Sequence, residues 1–306
     1  MVVAGSTGFL GKPLCRALAR AGHEVTALAR NTRRAAANLP AAVRIVEFDT
    51  RTAGPWRDAV AEADVVINLC GEPIAGKRWN AAYKSVLRSS RIDPTRALVN
   101  AMASKEQPGR SLLNASGISY YGDRGDEIVT EETPPGDDFL ARLAVDWEAE
   151  ALRAEEHGIR VVLLRTGIVL GEGGGALEEM VKVFRRCMGG PMGSGRQWFP
   201  WIHLEDYIEM VHWAALNPNV RGPMNVVAPY PVRNSEFAQV LARTLRRPIF
   251  GPVPAPLLRL VVGEMADTLL GGQRAAPEVA RMHGFVWKHP SLGPALASLL
   301  GAKARA

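Results

Sequence analysis

Gly5-Ser6-Thr7-Gly8-Phe9-Leu10-Gly11 follows a short apolar run, Val2-Val3-Ala4, and leads into a segment whose apolar residues recur at helical spacing. A strand, a glycine-rich turn and a helix in that order form a cradle for a dinucleotide pyrophosphate. Gly5 permits a tight turn, Gly8 lets backbone approach the phosphates, and Gly11 lets the helix pack on the strand. The helix N-terminus offers unpaired N–H groups and a partial positive charge. A glycine-rich turn alone is common, so the reading rests on what surrounds it.

Outward from the turn, short apolar runs alternate with helical segments. Strands are expected over 2–4, 24–29, 43–48, 64–69, 112–116 and 160–165, several of them unbroken Val/Ile/Leu runs, as strands covered on both faces require. This pattern predicts an α/β fold, a doubly wound parallel sheet of the Rossmann type, with its ligand at the carboxyl ends of the strands. Asp93-Pro94 reads as a helix start, and Gly22 and Gly158 read as helix stops.

The chain has 306 residues, 47% hydrophobic and 22% charged, enough for one large or two modest domains. It shows neither an apolar run of the ~18 residues that span a bilayer nor a signal peptide, so a cytoplasmic protein with no membrane partner is expected. Cys15, Cys70 and Cys187 lie too far apart for a CxxC pair and are odd in number, which argues for reduced thiols. The net charge of +6 comes with scattered arginines and no aromatic-basic pattern, so no nucleic-acid partner is expected.

The strand ends carry the specificity. Where NAD-binding proteins present an acid to the ribose hydroxyls, the second strand ends Leu28-Ala29-Arg30-Asn31, which favours a ribose phosphate and hence NADP(H). Asp49, after the third strand, is placed to accept from the adenine amine. The fourth strand ends Asn68-Leu69-Cys70-Gly71, where small residues let backbone pass close to a flat ligand. The fifth ends Asn114-Ala115-Ser116-Gly117 and continues Ile118-Ser119-Tyr120-Tyr121-Gly122.

GSTGFLG (5–11), the NLCG strand end (68–71), SGISYYG (116–122) and RTGIVLG (165–171) together resemble the extended short-chain dehydrogenase/reductases, the superfamily of nucleotide-sugar epimerases and dehydratases. GEPIAGKRW (71–79), SRIDPTRALV (90–99), GGPMGSGRQWFPWIHLED (189–206) and PYPVRN (229–234) narrow the resemblance to its "epimerase family protein" branch, across essentially the whole chain. The resemblance implies an NADP(H)-binding Rossmann domain over 1–166, with a returning segment near 200–228. A smaller, interleaved C-terminal substrate domain would take 167–199 and 229–306. It also implies cofactor contacts from Gly5, Ser6, Thr7, Gly8, Phe9 and Leu10 at the pyrophosphate and from Arg30 at the ribose phosphate. Leu69, Cys70 and Gly71 would lie near the adenine-side ribose. Arg91 falls where relatives keep an asparagine near the cofactor phosphates.

The superfamily's usual chemistry needs a tyrosine with a lysine four residues later. Residues four past Tyr83, Tyr120, Tyr121, Tyr207 and Tyr230 are Leu87, Arg124, Gly125, Val211 and Asn234, and the aligned positions of the pair hold Leu140 and Ala144. That mechanism is excluded. Ser116 and Tyr121 are the remaining catalytic candidates, although alignment on Tyr-Gly puts the reactive serine position at Gly117, and Tyr121 also suits a packing role. His203 and Lys77 are weaker candidates for facing an anionic substrate. No HExxH, CxxC or carboxylate cluster supports a metal.

Glycine and proline clusters beyond Arg165 mark the substrate domain. Within it a helix over 176–188, a helix N-capped by Asp206, a strand over 224–228 and a closing helix over 292–300 are expected, and the Gly271–Arg274 turn is read as structural. In GGPMGSGRQWFPWIHLED, Arg196 and Gln197 suit an oxygen-rich or anionic small molecule, whereas Trp198 and Trp201 equally suit a domain seam. Two functions fit: an NADP(H)-dependent oxidoreductase or epimerase-like enzyme acting on a small molecule, or a non-enzymatic NADP(H)-binding sensor.

Overall fold

A computed structural model describes residues 1–301; the last five residues of the expected C-terminal domain lie outside the described residues. Seven strands form the central sheet: β1 (Val2–Ala4), β2 (Thr26–Ala29), β3 (Arg44–Glu47), β4 (Val65–Asn68), β5 (Ser111–Gly117), β6 (Arg160–Thr166) and β7 (Gly222–Val226). Every pairing is parallel and the order is β7-β6-β5-β4-β1-β2-β3. The order reverses at β1, so the turn that follows β1 opens at the switch point, where such sheets bind ligands.

Alternation along each strand splits the core in two. Val3, Ala27, Ile67, Leu113 and Val162 meet Leu14 and Leu18 of the Gly11–Arg20 helix and Tyr207, Met210 and Val211 of the Leu204–Leu216 helix. On the other face Val2, Ala4, Leu28, Val66, Leu112 and Val161 meet Val60, Leu98, Met102 and Ala151. Both faces are apolar because both are covered. A third core joins Leu177 and Phe184 to Phe199, Trp201, Phe237, Leu241, Leu292 and Leu296, packing the helices Gly175–Arg185, Asn234–Leu245 and Leu292–Leu300 together. Short strand pairs tie this part to the sheet: Ile168–Leu170 with Trp201–His203, Trp198–Phe199 with Val232–Arg233, and Ile128–Val129 with Arg274–Ala275.

Two expected helix starts are corrected. Asp93-Pro94 lies inside one helix, Ala81–Ala103, which begins where Asn80 accepts from Tyr83 N–H at 2.8 Å. An interior proline costs ~3 kcal/mol of helix stability, and burial of Tyr83, Leu87, Ile92, Leu98, Val99 and Met102 on both sides of Pro94 outweighs it. The Leu204–Leu216 helix is capped by His203, whose Nδ1 accepts from Glu205 N–H at 3.1 Å, and not by Asp206. The Asp206 carboxylate instead accepts the N–H groups of Lys288 and His289 at 2.7 and 2.9 Å, clamping a remote segment to the first helical turn. The helix expected over 176–188 ends sooner, at Arg185, just before Cys187 turns to a φ of 57°.

Candidate dinucleotide site

The glycine turn is rigidly specified. Gly5 has φ +77°, and a Cβ there would lie 2.6 Å from the Leu69 carbonyl oxygen; a Cβ on Gly11 would lie 2.2 Å from the Gly5 carbonyl oxygen. The first helical turn thus sits directly on the loop. Gly8 N–H closes the loop onto the Gly5 carbonyl at 3.0 Å, and the buried Ser6 hydroxyl donates to Leu28 O at 2.8 Å, tying it to β2. No side chain caps the helix at Leu10 and no acid occupies its first turn, which leaves its positive end uncompensated.

A groove of about 670 Å³ runs from this turn across the ends of β1 to β4. Gly5, Thr7, Gly8, Arg30, Asp49, Leu69, Cys70 and Gly71 line it, together with Ser90 and Pro94 from the long helix. Arg30 is exposed and makes no hydrogen bond or ion pair among the described residues. Asp49 differs: its carboxylate accepts from Arg51 N–H, Nε and the terminal guanidinium nitrogen at 3.0, 2.9 and 2.8 Å, and these bonds hold its pKa down to about 2. Burial pushes the Cys70 thiol up to about 12, so it lines the groove as a neutral group. A second hollow of about 480 Å³ adjoins the groove at Thr50, Arg51 and Asp93. Its Arg51 and Arg96 are already paired, with Asp49 and Glu150.

Ser6, Phe9, Leu10 and Arg91 stand outside the groove lining. The Phe9 ring lies against Gly174 and Gly175, where a Cβ would approach it to 3.0 and 2.8 Å, and so joins the turn to the Gly175–Arg185 helix. Leu10 packs in the core. Arg91 is buried, donates to Leu87 O and Glu72 O at 3.0 and 3.1 Å, and presses its guanidinium on Gly71; burial lowers its pKa to about 10. It stiffens the loop after β4.

At the end of β5, the Ser116 hydroxyl donates to Glu148 Oε1 at 2.6 Å. Glu148 also accepts two bonds from Arg165, at 2.9 and 2.8 Å, with both side chains buried. Arg165 donates onward to the Tyr121 hydroxyl at 3.0 Å, and that hydroxyl donates to Asn225 Oδ1 at 2.8 Å. Tyr121 is fully buried and its pKa is pushed up to about 12 by desolvation, so its phenol is committed on both sides. Leu140 and Ala144, where the tyrosine-lysine pair is expected to align, are buried, and Leu140 packs with Trp79, Tyr83, Leu87 and Leu143. Lys77 is exposed and makes no polar contact among the described residues.

His203, Glu205 and His289 bring ligand-type atoms within 4.8 Å of one another. They do not converge on a cation. His203 Nδ1 is spent on the helix cap, its Nε2 meets Ser298 at 3.2 Å, and its ring stacks on His289 at 3.7 Å with 27° between planes, so the in-plane lone pairs run side by side. Burial lowers the His203 pKa to about 4, which keeps it a neutral cap.

The Glu148–Arg165 pair was not singled out from sequence, yet two signals carry it. Arg165 follows the apolar run Val161–Leu164 in a central strand, where a charge needs a buried partner. Leu140, Ala144 and Glu148 recur at intervals of four, placing the acid on the helix face that Leu140 and Ala144 share.

Fold and groove define a dinucleotide-binding protein of the doubly wound class. The chain belongs to the NAD dependent epimerase/dehydratase family, whose model matches residues 1–227; residues 253–299 match a domain of unknown function (DUF1731). It is 40% identical over 297 residues to Epimerase family protein Mb2239 of Mycobacterium bovis, covering 97% of this chain and 96% of that one. It is 38% identical to the Bos taurus epimerase family protein SDR39U1, covering 98% and 99%. Among solved structures, the human epimerase family protein SDR39U1 (isoform 2) with NADPH matches with a TM-score of 0.86 at 34% identity, covering 98% of each chain. MoeE5 in complex with UDP-glucuronic acid and NAD matches with a TM-score of 0.78 at 19% identity, a likeness of fold alone.

Proposed function

We propose that the chain binds NADP(H) along this groove and acts as an NADP(H)-dependent oxidoreductase or epimerase-like enzyme on a small molecule, without a tyrosine-lysine pair. The observation that carries the reading is Arg30, a cation without a partner among the described residues, at the groove end where the ribose phosphate would lie. The residues fit the group: the uncompensated helix end and the glycine loop suit the pyrophosphate, Arg30 suits the ribose phosphate, and Leu69 to Gly71 leave room for a flat ring system. The human relative was solved with NADPH, which supports NADP(H) as the cofactor. When bound, the nicotinamide would supply a hydride donor or acceptor.

The chain's own contribution at the reacting end is narrow. Because the Ser116 hydrogen is committed to Glu148, its oxygen offers only lone pairs, and it accepts from a ligand hydroxyl or amide rather than donating to a carbonyl. Tyr121 is placed as a buried strut. Leu140 and Ala144 are apolar and buried, so neither moves a proton. Such residues are also what a non-catalytic NADP(H) sensor would show, whereas a second part of the chain with its own core favours turnover.

Purified protein supplied with UDP-galactose or UDP-glucose is expected to show no interconversion. Turnover at ordinary enzyme rates, roughly 1 to 1,000 per second, would overturn the reading.

A further inference from the structure

The loop after the Gly175–Arg185 helix divides at its two tryptophans. Trp201 is 1% exposed within the third core, and the Gln197 amide donates to Met192 O and Leu269 O, so both are structural. Trp198 is half-buried and carries charge. Arg233 lies directly across from it in the antiparallel pair with its guanidinium 4.0 Å from the ring centre, and the Arg274 guanidinium lies 4.8 Å from the same centre. Gly272, two residues before Arg274, abuts the Trp198 backbone so closely that a Cβ would meet its carbonyl oxygen at 2.1 Å. The Arg196 carbonyl accepts from Arg233, which fixes the backbone of a third, exposed arginine two residues before Trp198.

We propose that Arg196, Arg233 and Arg274 around Trp198 form the binding site for an oxyanion, a phosphate or carboxylate, on the small molecule this protein acts on. The inference rests on the reading above that such a molecule binds beside the cofactor. Among the described residues Asp126, bonded to Trp198 Nε1 at 2.9 Å and to Arg233 at 2.6 Å and within electrostatic reach of Arg274, is the one carboxylate bonded to the cluster, and the side chains of Arg196 and Arg274 have no hydrogen bond or ion pair. Three guanidiniums against one acid leave positive charge uncompensated, while a cation on an exposed ring gains only ~0.5–1 kcal/mol. The Arg233 guanidinium is spent on the Arg196 carbonyl and Asp126 and serves to brace the ring, whereas the Arg274 fork, held against the same ring, stays free for a phosphate or carboxylate oxygen. The cluster also lies where a substrate should. Gly272 N–H donates to Asp123, just past Tyr120–Gly122 at the carboxyl end of β5. A ring that already carries two guanidiniums has little face left for a base or sugar, so the site reads charge rather than shape.

The test is calorimetric titration at constant ionic strength of inorganic pyrophosphate into protein saturated with NADPH, so that the glycine-loop cradle is filled, and of succinate into apo and NADPH-saturated protein. Saturable binding of one or both is expected. It should weaken tenfold or more in Arg196→Gln/Arg274→Gln, which keeps the side-chain stems and the melting temperature, and stay unchanged in Arg185→Gln. Absence of saturable binding, or equal binding by the double variant, would overturn the proposal. Arginine-dependent binding in apo protein that does not take up NADPH would sink the functional reading and leave this site standing.

Discussion

Gly11→Val is expected to lower NADPH affinity by a hundredfold or more, ~2.7 kcal/mol, and to lower the melting temperature as well. The new Cβ would stand 2.2 Å from Gly5 O and 2.8 Å from Ser6 Cα, both backbone atoms of the cradle, so the loop itself must move. Moving it displaces the groups that line the groove and loosens the helix from β1. Gly293→Ala is the control, since a Cβ there meets nothing within 4 Å, and it should leave both properties unchanged. Fluorescence titration with NADPH and thermal denaturation read the two effects. Wild-type affinity in Gly11→Val would remove the turn from the site.

Glu148→Ala is expected to destabilise the protein by about 3–5 kcal/mol, because it leaves Arg165 charged and unpaired in the interior. Arg165 is 4% exposed and cannot reach water without breaking its bonds to Tyr121 and to Glu131 O. The double variant Glu148→Leu/Arg165→Met removes both charges and should recover much of the loss, since a buried pair compares poorly with apolar packing of similar volume. Equilibrium denaturation in urea measures each variant. A loss below ~1 kcal/mol in Glu148→Ala, the range of an exposed pair, would contradict the buried network.

The sheet was legible because doubly covered strands read as apolar runs, and all six strands expected before residue 166 are present, the first with its ends as expected and the other five with shifted ends. The glycine turn was legible because its constraint is local: Gly5 and Gly11 are each needed where backbone meets backbone. Pro94 and Asp206 misled for one reason. Both are strong local signals, and in each case packing between segments distant in sequence decided the outcome, through the buried face of Ala81–Ala103 and through Lys288–His289. The Trp198 cluster was only half visible. Arg196 lies beside Trp198 in sequence, but Arg233 and Arg274 come to the ring through strand pairing and the close approach of Gly272, neither of which spacing reveals. Asp49 lines the groove, yet its neighbour Arg51 takes up its carboxylate, a competition that residue type alone does not show.

Calorimetric titration of NADPH and NADH into the wild-type protein and into Arg30→Asp tests the central claim most directly. The account predicts that wild type binds NADPH at least tenfold more tightly, ~1.4 kcal/mol, within reach of a single charged phosphate contact, and that Arg30→Asp erases or reverses the difference. Equal wild-type affinities for the two cofactors, or a preference that survives Arg30→Asp, would contradict it.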